Sequence, residues 1–271
     1  MSYRSIIDDA RLSELLRQLA CYHPREGFWK FHHRIRNSGT VVNHKRLHRV
    51  YREMQLPLRR KHKKRLPARV KESLEVPAKF THTWSVDFMS DATIGARKFR
   101  SFNVIDDFNR EVLFMETDYS IKSSRVIWVL RQLVSRHGKP ARIRMDNGPE
   151  FIANLARNWS EANDIEFKYI KPGKPAQNAY MERFNRSYGE GVLDSFLFAN
   201  LDKVRESAAL WVADYNNLRP HEALGNLPPV AYREAGIRTE GNTFPALRFA
   251  PATPSLHSRG ESSEQVKPNK S

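Results

Sequence analysis

Apolar residues recur at three-to-four spacing over residues 6–22, where Ile6, Ile7, Leu12, Leu15, Leu16 and Leu19 line one face. That period predicts an amphipathic helix. A second helix is predicted over 27–36, with Phe28, Phe31 and Ile35 inward, and Asn37-Ser38-Gly39 breaks it. Asn43 is a good N-cap for a third helix reaching about Met54. Helix, short Gly-containing turn, helix is the outline of a helix-turn-helix unit. From residue 81 the period changes to two. Trp84, Val86 and Phe88 alternate with polar partners over 83–89, and further strands are predicted over 99–106 and 111–117, joined by the turn 107–110. A helix over 122–137, a strand over 141–145, a helix over 149–163 and a strand over 165–170 follow. A long helix is expected over 176–198 and another over 202–217, after which the pattern turns irregular.

Three strands in a meander, then strands each entered through a helix, predict an α/β fold. Right-handed crossovers place strand 4 beside strand 1, giving a five-stranded mixed sheet of order 3-2-1-4-5 flanked by helices. Ligands in open α/β sheets bind where the strand order switches, here between strands 1 and 4. The expected organisation is a small all-α helix-turn-helix-like domain (1–56), a linker (57–80), an α/β core (81–236) and a Ser-, Pro- and Lys-rich tail (237–271) expected to be largely disordered.

Charge sharpens this picture. The chain of 271 residues carries a net charge of +16. Residues 1–80 hold 20 Lys and Arg against 7 Asp and Glu, so +13 of that excess lies in the N-terminal third. Such asymmetry points to a polyanion. No apolar run approaches the roughly 20 residues that span a bilayer, so nucleic acid rather than membrane is the expected partner. Lys45, Arg46, Arg49 and Arg52 on the third helix are candidate DNA contacts. Lys63, Lys64 and Arg65 in the linker are candidates for the phosphate backbone. The first residues carry no secretory h-region, so a cytoplasmic, nucleoid-associated protein is expected. Cys21 is the single cysteine, which excludes an internal disulfide and a Cys-rich zinc site. His44 and His48 at i, i+4 read as basic-helix histidines.

Against this basic background three acids converge. Asp87 projects from strand 1 on the side opposite Val86 and Phe88. Asp146 ends strand 4, and Glu182 shares a helical stripe with Asn178, Asn185 and Arg186. Magnesium prefers hard oxygen ligands, and two ions roughly 4 Å apart can clamp the attacking and leaving oxygens of a phosphoryl displacement. Taken singly, each acid reads as a surface, turn or solvated residue; their joint mapping to one crevice favours catalysis. Asp91, Asp106, Asp107 and Glu150 are nearby rivals.

These residues carry a resemblance. Trp84-Ser-Val-Asp87-Phe, Arg144-Met-Asp146-Asn-Gly-Pro-Glu150-Phe and Pro175-Ala-Gln-Asn178-Ala-Tyr-Met-Glu182-Arg-Phe-Asn185-Arg resemble the motifs of bacterial insertion-sequence transposases with a retroviral-integrase-type (DDE) core. The 35 residues between Asp146 and Glu182 match that family's spacing, and Tyr215-Asn-Asn-Leu-Arg219-Pro-His221-Glu-Ala-Leu224 resembles its C-terminal signature. The likeness spans about residues 10–235 and is nearest the downstream-frame protein of two-frame elements. It implies an RNase H-like fold, with Asp87, Asp146 and Glu182 as catalytic residues holding magnesium or manganese, two ions being expected. It implies nicking at element ends and 3′-hydroxyl strand transfer into target DNA. A homo-multimer and an upstream-frame helix-turn-helix partner protein are implied as well. Lys171, Lys174, Gln177, Asn178 and Arg186 are further candidate DNA contacts. The chain departs from the family at Gly189, where relatives usually carry Lys or Arg; Arg186, one turn earlier, is the candidate substitute. A non-catalytic DNA-binding remnant and a structure-selective RNase H-like nuclease are the competing readings.

Overall fold

The alternation read from residue 83 becomes a strand of ten residues, β1 (Thr83–Ala92), at the centre of a sheet. The computed structural model describes residues 9–58, 77–171 and 175–239. β2 (Lys98–Asp106) and β3 (Val112–Asp118) complete an antiparallel meander with a register shift at Val104/Ile105. β4 (Arg142–Met145) and β5 (Glu166–Tyr169) add in parallel beside β1. The order is β3-β2-β1-β4-β5, as the pattern predicts.

The two sides of the sheet bury different sets of side chains. Trp84, Val86, Phe102, Val104 and Ile143 pack under α4 (Ser123–His137), α5 (Pro149–Ile152) and α6 (Asn154–Ala162). Phe99, Ile105 and Val112 pack under α7 (Ala179–Tyr188) and α8 (Leu201–Asn217), where Met181, Phe184 and Tyr188 form the inner stripe of α7. The strand period of two thus assigns even positions of β1 to the first side and Asp87, with Met89, to the side of α7. α1 (Ala10–Tyr22), α2 (Phe28–Asn37) and α3 (His44–Glu53) close a separate small core of Leu12, Leu16, Phe31, Ile35, Leu47, Val50 and Tyr51. Asn43 caps α3 as expected, its Oδ1 accepting from the Lys45 amide at 2.9 Å. Gly39 takes φ +88° in the turn before it, a conformation that costs a side-chain-bearing residue.

Three elements depart from the expected pattern. The 149–163 helix is interrupted at Ala153, whose ψ of 141° is extended. The 176–198 helix ends at Tyr188, and residues Gly189–Leu193 continue as a π-helical turn in which the Asp194 amide reaches the Gly189 carbonyl at 2.8 Å. Two glycines weaken the α-helix there, and Gly191 lies directly beneath Trp211. The chain beyond 217 is not irregular: α9 (Pro229–Thr239) follows. It is held on the β2–β3 turn by Arg233–Glu111 at 2.8 Å and by Asn109 donating to the Pro229 carbonyl at 3.0 Å. Tertiary contact rather than an amphipathic period makes that helix. No helix among the described residues is long and apolar enough to cross a membrane. The tail expected to be disordered lies outside the described residues beyond Thr239.

Candidate metal centre

β1 and β4 run parallel with Ser85 level with Arg144. Two residues further along each strand stand Asp87 and Asp146, so the topology sets both carboxylates at one sheet edge. Asp87 is half-buried. Its Oδ1 accepts from the Phe88 amide at 2.8 Å and its Oδ2 from Asn185 Nδ2 at 2.7 Å. Asn185 is itself held by Asn103 Nδ2, 3.3 Å from its Oδ1. Asn103 is fully buried on β2 directly opposite Asp87. Asp146 is exposed, its Oδ1 accepting from the Gly148 amide at 3.1 Å. Glu182 is exposed on α7, one turn before Asn185.

Burial pushes the Asp87 carboxyl up to about 6, and the negative charges of Asp146 and Glu182 add to the rise. Asp87 is therefore near enough to feel both other acids, and none of the three has an ion-pair partner among the described residues. Burial and like charge together disfavour the ionised form of Asp87. The donor set is all hard oxygen, which fits magnesium or manganese. Among the described residues no three His, Cys, Asp or Glu side chains close round a single ion position, so the acids border a site without enclosing it.

The rivals fall elsewhere or are engaged. Asp106 pairs across the sheet with Trp84, three positions from Asp87, and its oxygens take the Thr81 and Phe108 amides at 2.7 and 2.8 Å. Asp107 is buried against Arg144 at 2.8 Å. Glu150 lies against Gly148 beside Asp146 and is paired with Arg100. Asn103 is a residue that the sequence reading missed; its one signal is a polar residue inside an apolar strand. Asn185 could be read as a neighbour of Glu182 on the same stripe.

The candidate DNA contacts divide. Lys45, Arg49 and Arg52 are exposed on α3, but Arg46 and Arg49 both hold Asp9, Arg46 at 2.8 Å, and Arg49 also takes Glu53 at 3.0 Å. Arg186 and Lys171 are exposed. Gln177 Oε1 accepts from the Lys171 amide at 3.0 Å, fixing the approach to α7. Asn178 is buried, with its Oδ1 unpartnered, which removes it from the surface. Lys63, Lys64, Arg65 and Lys174 lie outside the described residues.

The chain is similar to known proteins. An HTH-like domain model matches residues 7–65, and integrase core domain models match 78–175 and 163–229. The insertion element IS407 uncharacterized 31.7 kDa protein of Burkholderia multivorans is 36% identical over 218 residues, 80% of this chain and 79% of that protein. The insertion element IS476 uncharacterized 39.2 kDa protein of Xanthomonas euvesicatoria is 36% identical over 229 residues, 84% of this chain but only 66% of that protein's length. A chain of the simian T-cell lymphotropic virus intasome, in complex with PP2A regulatory subunit B56 gamma, superposes with a TM-score of 0.50 at 14% identity, over 92% of this chain and 86% of that one. That last likeness concerns the fold alone. The chain belongs to the integrase-core family of bacterial insertion-sequence transposases, with an HTH-like domain ahead of the core.

Proposed function

We propose that the protein nicks the ends of its element and joins the freed 3′-hydroxyls to target DNA, using divalent cations held by Asp87, Asp146 and Glu182. The observation that carries this reading is geometric: Asp87 and Asp146 come from adjoining parallel strands, and Glu182 from the helix packed beside them, so that Asp87 lies within reach of the charge of both. Bound magnesium or manganese would supply Lewis-acid stabilisation of the attacking and leaving oxygens of a phosphodiester. The chain's own residues do the rest. Asn185 and the Phe88 amide fix both oxygens of Asp87, so its free lone pairs point in set directions. The Gly148 amide does the same for Asp146. Glu182 rides on a helix whose inner stripe is locked into the core. Arg186, exposed on α7, is placed to take a backbone phosphate in the stead of the basic residue missing at Gly189.

The proposal extends to partners. Lys45 and Arg52 on α3 are the DNA contacts of the HTH-like unit, since neither is tied up by a carboxylate among the described residues. Two element ends must be held together, which calls for a homo-multimer, and an upstream-frame protein would supply end recognition. The test is a strand-joining assay on element-end duplex with magnesium or manganese. Wild type is expected to form joined product, and Asp146→Asn to reduce it by at least ~10³-fold. Undiminished joining by Asp146→Asn would reject the assignment. The open spacing of the acids and Gly189 favour one rival, a DNA-binding protein without catalysis. Wild-type protein that binds ends but yields neither nicks nor joined strands would establish that rival.

A further inference from the structure

A cavity of 430 Å³ opens where α2 meets the core, walled also by the β2–β3 turn, by α7 and by residues 219–226. Its lining carries Lys30, Arg110, Arg183 and Arg219, and among the lining residues Glu222 is the one carboxylate. The acids behind the wall are already used. Glu26 takes Arg34 at 2.7 Å and Arg219 at 3.1 Å, and Asp214 takes Arg34 at 2.7 Å. Arg183 is exposed and has no ion-pair partner among the described residues. Arg110 lies with its guanidinium carbon 3.3 Å above the Tyr180 ring, and its buried Nη1 has no hydrogen-bond partner. A second unpartnered buried nitrogen, Nε2 of His221, lines the same space. Burial, followed by Arg219, pushes Lys30 down to about 8; burial and the same cations push His221 down to about 3. The histidine therefore stays neutral, and offers a hydrogen-bonding nitrogen rather than another charge.

Arg219 at 3.1 Å and Lys30 at 4.0 Å share Glu26, whereas Arg183 and Arg110 face the half-enclosed space with no carboxylate paired to them among the described residues, and their mutual repulsion favours an anion there. Unpaired arginine nitrogens match phosphate oxygens in geometry as well as charge. Trp29 stands on the wall with 59% of its surface exposed, a flat face of the sort on which nucleobases stack. The volume falls in the range of about 300–1,000 Å³ typical of small-ligand sites. α7 serves both this cavity and the acidic site: Tyr180, Arg183 and Ser187 line the former, while Glu182 and Asn185 lie on the opposite flank of the buried stripe of Met181, Phe184 and Tyr188. The two sites are thus separated by about one helix diameter, ~10 Å.

Resting on the DNA-joining reading above, we propose that this junction pocket holds one nucleotide of a single DNA strand, its phosphate on Arg110, Arg183 and Lys30 and its base against Trp29. A strand with its reacting phosphate at the acids sets a neighbouring nucleotide into the pocket. The HTH-like unit and the core would then close on DNA together.

The test is fluorescence anisotropy of the full chain, with EDTA present, on a fluorescein-labelled trideoxythymidylate. Arg183→Gln is expected to weaken binding about tenfold and Trp29→Ala about fivefold or more. Both side chains are exposed, and because Trp29 also touches Phe28, His32, His33 and His44, a thermal melt of each variant checks that it is folded. Thymidine 5′-monophosphate is expected to compete far better than inorganic phosphate. This binding is read without divalent metal and joining only with it, so loss of joining and loss of this pocket are separate results. Binding indifferent to both Arg183→Gln and Trp29→Ala overturns the proposal. Competition by inorganic phosphate equal to that by the nucleotide overturns it too, leaving a bare anion site.

Discussion

Asn185 shows how a neutral side chain governs a carboxylate. It gives Nδ2 to Asp87 and takes Asn103 Nδ2 on its oxygen, so its amide cannot flip without breaking both bonds. Asn185→Ala is expected to leave end binding intact and lower joining about tenfold, as loss of a partner behind a metal ligand does; unchanged turnover would show that Asp87 needs no positioning. Glu26 makes a different point. Burial alone would raise its carboxyl, but bonds from Arg34 and the charges of Arg34, Arg219 and Lys30 hold it at about 2, below its ordinary 4.5. Because the folded value is the lower one, this stabilisation is fully present above pH 4.5 and is lost as pH falls towards 2. Glu26→Gln is expected to cost ~3 kcal/mol at neutral pH. Urea midpoints should show that gap to wild type narrowing once the pH drops below 4.5.

At the scale of elements, the π-helical turn after α7 separates two glycines with opposite surroundings. A Cβ on Gly191 would lie 2.8 Å from Trp211 Nε1, whereas one on Gly189 would meet only Met89 Cε at 3.7 Å. Gly191→Ala is therefore expected to destabilise by ~1–3 kcal/mol. Gly189→Ala is expected to be neutral or to stabilise by up to ~1 kcal/mol. Thermal melts of the two variants decide the matter, and equal melting temperatures would contradict it. This turn also marks what the sequence could not disclose. The stripe Met181, Phe184, Tyr188, Val192 reads as one helix because both helix types bury those positions. The two glycines weaken the α-helix there, and the close approach of Trp211, far along the chain, leaves no room for a side chain at Gly191. α9 was invisible for a related reason, being held by Arg233, Asn109 and other contacts rather than by a period of its own. The sheet, by contrast, was legible, since its strands alternate and the parallel pairing of β1 with β4 brings Asp87 and Asp146 alongside each other.

Across the whole molecule, Arg34 binds the helical unit to the core. Its guanidinium reaches Glu26 in the same unit and Asp214 on α8, 180 residues away. Asn37 adds a bond to the Asn226 carbonyl at 2.9 Å. Contacts between residues so distant leave no local trace, which is why the junction pocket was not legible. The charge map of α3 yields a further expectation. Lys45→Ala and Arg52→Ala should each reduce the salt slope of DNA binding by about 1. Arg46→Ala should change it less, because Arg46 is paired with Asp9. Wild-type slopes for Lys45→Ala and Arg52→Ala would remove α3 from the interface. The central claim concerns the carboxylates themselves. Crystals soaked in manganese and measured at its absorption edge are expected to show anomalous density within ligation distance of Asp87 and Asp146, with Glu182 turned towards it. Density only at other sites, or none at an occupancy-saturating concentration, would contradict the account.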